Sequence, residues 1–137
     1  MRYSTFVGTA VLAALGAGAV GTQIAADNST CKVVDLDNGR HARILDHAHD
    51  AVGRGLPERL TIDRRGASGN RGLSLRGVPT RAGFDRDEYP PAIADEGGKG
   101  ASVRYVGSSE NRSAGARIGN ELRGLPEGAC FRYEARP

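Results

Sequence analysis

Five carboxylates fall within twelve residues of this chain: Asp85, Asp87, Glu88, Asp95 and Glu96. Hard divalent cations take oxygen ligands, so such a cluster can build a Mg²⁺ or Mn²⁺ site or supply a general base. The alternative is a solvated loop whose acids pair with Arg81, Arg86 and Lys99. A second group follows downstream, where Asn120 and Glu121 lie in a stretch of helical periodicity entered through Asn111. Here too a plain alternative exists. Glu121 and Arg117 are spaced as an i,i+4 pair, worth about 0.2–0.5 kcal/mol, and Asn111 before Ser113 can cap the helix.

The elements that must position these residues are readable from periodicity. Ile44, Leu45, Ala48, Ala51 and Val52 form one stripe at the helical period, with Asn38 as N-cap and Gly53 or Gly55 as the stop. Lys32 to Val34 is a short apolar run suited to an edge strand, and Arg59 to Asp63 reads as a strand with Leu60 and Ile62 on one face. Gly66 to Gly83, rich in Gly, Ser and Arg, is expected to be an irregular basic loop. Ala101, Val103 and Tyr105 alternate with polar residues as a half-buried strand, and Gly107 to Arg112 is expected to turn the chain. Ala114, Ile118 and Leu122 mark a second helix ending at Gly124 before Pro126. Cys130 to Glu134 alternates again, with Phe131 and Tyr133 on one face. Helix, strand, long loop, strand, helix, strand describes a small α+β domain. His41, His47 and His49 lie on or beside the first helix and are read as surface residues.

Length and composition bound the rest. The chain has 137 residues and a formal net charge of +3, with 19 Lys+Arg against 16 Asp+Glu. That suits one domain and excludes a polycationic tail. All but Lys32 and Lys99 of the basic residues are Arg. No 20- to 50-residue repeat is visible, which excludes solenoids and propellers. Arg2, the uncharged Phe6–Val20 run and the small residues ending at Ala26 have the layout of a signal peptide over residues 1–26, leaving a mature domain of 27–137. An uncleaved membrane anchor is the alternative. Gly16 to Gly21 matches GxGxxG, but no strand precedes it and no βαβ unit follows. In an oxidising compartment Cys31 and Cys130 most simply form one disulfide closing nearly the whole domain; neither has a His or Cys at ligand spacing, so a metal site is the weaker alternative. Arg59, Arg64, Arg65, Arg71, Arg76 and Arg81 can form a groove attracting nucleic acid, although no interleaved aromatics offer base stacking.

Phe84 to Gly98 (FDRDEYPPAIADEGG), Ala101 to Val106 (ASVRYV) and Glu110 to Leu122 (ENRSAGARIGNEL) resemble the core of the NucA/NucB deoxyribonucleases. The similarity starts near the Ala42–Gly53 helix and includes Leu60 to Arg64. The resemblance implies a small secreted bacterial endonuclease that cuts DNA with a divalent metal, on a core like the ββα-metal (His-Me finger) nucleases. It places Asp87 as general base, with Glu121 and Asp87 as metal ligands and Asn111 orienting water or holding its loop. Arg86, Glu88 and Asn120 are then supporting residues, while Arg112 and Arg117 meet phosphate. Several relatives carry a further cysteine near the acidic cluster, where this chain has Ala94. The expected cofactor is Mg²⁺ or Mn²⁺, with no small-molecule cofactor and no stable membrane association after signal cleavage. The expected partner is DNA, with RNA as the alternative substrate. A scaffold that binds DNA or the cell envelope without turnover is the rival function, and a toxin-like nuclease held by an inhibitor protein is a third.

Overall fold

The computed structural model describes residues 31–137. The expected signal peptide therefore lies outside the described residues. Among the described residues, two sheets and three helices make the α+β domain read from the sequence. Strand β1 (Lys32–Asp37) runs parallel to β5 (Cys130–Arg136), and the two-residue β2 (Leu60–Thr61) lies antiparallel on the other side of β5. The second sheet is an antiparallel hairpin of β3 (Phe84–Tyr89) and β4 (Ser102–Gly107). Helices α1 (Ala42–Gly53), α2 (Ala67–Ser74) and α3 (Ser108–Leu122) complete the order.

The core forms where the apolar stripes meet. Val34 and Leu36 of β1, Phe131 of β5, Leu60 and Ile62, Val106 of β4, Ile44 and Ala51 of α1, and Ala114 and Leu122 of α3 are all buried in one cluster. Strand β1 contributes alternate residues, and α1 and α3 contribute one stripe each, as the periods require. The register of β1 on β5 pairs Lys32 with Phe131, so the preceding residues Cys31 and Cys130 are neighbours, and they form a disulfide. The bridge spans 99 positions of chain. Closing so long a loop in the unfolded state is worth about 3–5 kcal/mol. Reduction, or Cys31→Ser with Cys130→Ser, is therefore expected to lower Tm by roughly 10–25 °C in thermal unfolding followed by circular dichroism.

Several elements differ from expectation. Residues 66–83 are not an irregular loop throughout, because α2 occupies Ala67–Ser74. It has no buried residue and is held by polar contacts: the Asn70 amide donates to the Ala92 and Ala94 carbonyls, and Ser74 and Arg71 hold Glu88. Hydrophobic patterning cannot reveal a helix fastened in this way. The acidic cluster is partly a strand, β3, and its acids do not pair with Arg81, Arg86 or Lys99. Asp85 meets Arg112, Glu88 meets Arg71, and Glu96 accepts from the Thr61 backbone and hydroxyl. Asn38 does not cap α1: His41 precedes the helix, while the Asn38 N–H donates to the Arg136 carbonyl.

The expected turn at Gly107 to Arg112 is absent. Strand β4 runs straight into α3, which places Asn111 inside the first turn of that helix. On β4 the fully buried residue is Val106, on the parity of Ser102 and opposite to Val103 and Tyr105. The Glu96-Gly97-Gly98 segment has a packing reason. A Cβ at Gly97 would lie 2.6 Å from the Pro91 carbonyl oxygen, and Gly98 has φ +87 against Asn70.

Candidate active site

Hairpin β3–β4 and α3 follow one another without a break, and between them opens a cavity of about 530 Å³. Asp85, Arg86, Asp87 and Glu88 line it from β3, and Asn111, Ala114, Gly115, Ile118 and Gly119 from α3. Gly115 and Gly119 have nothing within 4 Å of a Cβ position, so this helix face is kept small without close backbone contact.

Asp87 is the cavity carboxylate with the most developed support. Its Oδ2 lies 2.6 Å from Nδ1 of His47, which is completely buried, while Asp87 keeps 18% of its side chain exposed. The opposite ring nitrogen, Nε2, lies 2.9 Å from Ser102 Oγ, and that oxygen accepts a bond from Arg54 of 3.0 Å. Proton accounting settles the directions. The Asp87 carboxylate can only accept, so Nδ1–H donates to it. In the neutral ring Nε2 is then the acceptor, and the Ser102 hydroxyl donates to Nε2 while its oxygen accepts from Arg54. In the familiar Asp–His arrangement a buried carboxylate orients an exposed imidazole. Here the burial is reversed, so the imidazole orients the carboxylate. Asp87 Oδ1 has no partner among the described residues and is available to the cavity.

His47 and His41 correct the expectation that the histidines are surface residues. His47 is wholly buried and His41 is 4% exposed. His41 Nδ1 accepts from the Asp37 N–H and its Nε2 meets Ser113 Oγ at 3.0 Å. Burial lowers the His41 pKa below the ordinary imidazole value, which suits a neutral ring already satisfied on both nitrogens. A signal for His47 was present: it stands three residues after Ile44 and four before Ala51, on the buried stripe of α1. Ser102 carried no such signal, because its role depends on a helix 48 positions earlier in the chain.

The other site residues divide between two faces of α3. Asn111, Arg86 and Glu88 are brought to the cavity with Asp87. Arg86 donates to the Val78 carbonyl at 2.7 Å. Arg112 bonds Asp85 at 3.0 Å from a largely exposed position at the hairpin. That guanidinium, followed by the Ser108 hydroxyl, holds the Asp85 carboxyl below the usual carboxylate range; Asn111 adds to the effect. Glu121 does not line this cavity. It is paired with Lys32 at 2.7 Å and Arg117 at 2.8 Å, and the Lys32 bond is the main cause of its lowered pKa. Arg117 and Asn120 line a separate recess with Asp35, Asp37 and Arg136. Glu121 follows Asn111 by ten residues, about 15 Å along the helix axis.

No three His, Cys, Asp or Glu side chains converge to hold a metal ion among the described residues. The cavity nonetheless offers hard oxygen donors, the Asn111 amide and the Asp87 and Glu88 carboxylates, of the kind Mg²⁺ and Mn²⁺ accept. No helix among the described residues is long and apolar enough to cross a membrane.

The sequence has counterparts among known proteins. Residues 51–133 match the family described as Deoxyribonuclease NucA/NucB, a stretch from the end of α1 through β5 that contains Asp87, Asn111 and Glu121. The chain is also 38% identical over 125 residues to a DNA-entry nuclease of Bacillus subtilis (strain 168), covering 86% of this chain and 85% of that protein. With the match running through both walls of the cavity, the chain belongs to the NucA/NucB deoxyribonuclease family.

Proposed function

We propose that this protein is a secreted, divalent-metal-dependent endonuclease that hydrolyses DNA phosphodiester bonds with little sequence preference, on a ββα-metal-like core of β3, β4 and α3. The observation that carries the reading is Asp87, facing the cavity with buried His47 behind it and Asn111 across from it. In this reading Asp87 Oδ1 takes the proton from the attacking water, and His47 Nδ1–H fixes the carboxylate so that this oxygen faces the substrate. The Asn111 amide oxygen and the Asp87 carboxylate would hold the cation, being hard oxygen donors on the cavity wall. When bound, Mg²⁺ or Mn²⁺ supplies charge neutralisation at the phosphate and the departing 3′-oxygen. Arg71 in the cavity lining and the exposed Arg112 beside Asp85 are suited to flanking phosphates, contacts that carry no sequence information. The ligand expected of α3 passes from Glu121 to Asn111, because Glu121 is held by Lys32 and Arg117 away from this cavity. The disulfide fits an oxidising compartment.

The test is nicking of supercoiled plasmid by the oxidised protein in Mg²⁺, Mn²⁺ and EDTA. Cutting is expected with metal and absent in EDTA. Asn111→Ala is expected to lose at least about 100-fold in rate, as for removal of one stabilising group at a reacting centre. Glu121→Gln should stay within about threefold, as expected for a surface ion pair. Near-native cutting by Asn111→Ala, with loss in Glu121→Gln, would restore Glu121 as the ligand. A folded protein that binds DNA but never cuts it would favour the binding-module alternative.

A further inference from the structure

Tyr133 is a cavity residue with an unused donor. Its ring is partly buried, packed edge-on against Tyr89 with centroids 5.9 Å apart and tilted against Phe131 at 6.1 Å. It lines the cavity together with Asp87 and Asn111. The other two described tyrosines each spend their hydroxyl on a backbone carbonyl, Tyr89 on Pro57 at 2.9 Å and Tyr105 on Pro79 at 2.6 Å. The Tyr133 hydroxyl has no hydrogen-bond partner among the described residues. The hydroxyl is not sealed in the interior but opens on the cavity wall, where a ligand oxygen can accept from it. Burial and the nearby Asp87 charge both disfavour the phenolate, so the group is a donor rather than an acceptor of charge.

The geometry points to Tyr133 as a substrate-contacting residue, its hydroxyl donating to a non-bridging oxygen of the phosphodiester held before Asp87. The inference rests on the nuclease reading above and adds a donor to it. A neutral donor fits this position for an electrostatic reason. It stabilises charge growing on the phosphate oxygens without pairing with Asp87, as an Arg at the same place would.

Tyr133→Phe keeps the ring and removes only the oxygen, and Tyr105→Phe serves as a control. Three readouts apply: Tm, the Kd of an eight-nucleotide single strand in EDTA, and cleavage at one linkage carrying an Rp or Sp phosphorothioate. For Tyr133→Phe an unchanged Tm is expected, with Kd raised about three- to tenfold and kcat lowered about ten- to 100-fold. The rate penalty for sulfur should also shrink relative to wild type in one of the two diastereomers. Unchanged Kd and an unchanged sulfur penalty would overturn the assignment, even if kcat fell, since that pattern belongs to a packing role. Should the wild-type protein cut nothing, the nuclease reading fails and Kd alone decides whether Tyr133 meets a phosphodiester.

Discussion

Asp87→Asn is expected to lower kcat for DNA cleavage by at least about 1,000-fold while leaving the fold intact. The substitution is nearly isosteric, and its amide oxygen can still accept the His47 Nδ1–H that Asp87 accepts at 2.6 Å. What it removes is the capacity to accept a proton from water, a function normally worth about 10²–10⁴ in rate. Loss of the negative charge beside the cation adds to the defect. Steady-state cleavage of plasmid and of a labelled oligonucleotide, with Tm measured in parallel, checks the claim. A variant retaining more than about a tenth of wild-type kcat would show that another group serves as the base.

The second large effect is expected at His47. Its ring is wholly buried, so His47→Ala both opens a void and strips Asp87 and Ser102 of a partner. A stability loss of about 2–4 kcal/mol follows from the void and the unpaired groups together. A further 10- to 100-fold fall in kcat is expected at temperatures where the variant is still folded, because Asp87 is then free to rotate. His47→Asn separates the two roles. Its amide nitrogen occupies roughly the place of Nδ1 and can donate to Asp87, but nothing replaces Nε2 toward Ser102. Much of the activity should return while Tm stays low. In an Asp87→Asn background, His47→Ala should cost almost nothing more in kcat, since positioning matters only when there is a base to position. Full, additive losses in that double variant would assign His47 a separate catalytic task.

Features that depend on neighbours along the chain are legible in the residues alone. The stripe Ile44, Ala48, Ala51, the paired faces of Leu60 with Ile62 and Phe131 with Tyr133, and the stop at Gly124 all emerge from period and turn chemistry. The disulfide was legible for a simpler reason: two cysteines at opposite ends of one domain have only each other. The acidic segment and the helix after it were legible as a family motif, and that resemblance named Asp87, Glu121 and Asn111 together.

What these residues face depends instead on packing between distant parts of the chain. The place of His47 on the apolar stripe of α1 marks it for burial, but its partners come from the fold: Asp87 and Ser102 reach it from a hairpin 40 and 55 residues away. Helix α2 was invisible because its fastenings are hydrogen bonds to distant carbonyls and to Glu88 rather than an apolar stripe. Asn111 and Glu121 are both acceptable oxygen ligands on one helix, and periodicity cannot choose between them. In the fold, α3 turns Asn111, in its first turn, toward the β3–β4 hairpin, while Glu121, far along the same helix, lies against Lys32 of β1 and Arg117 of its own preceding turn.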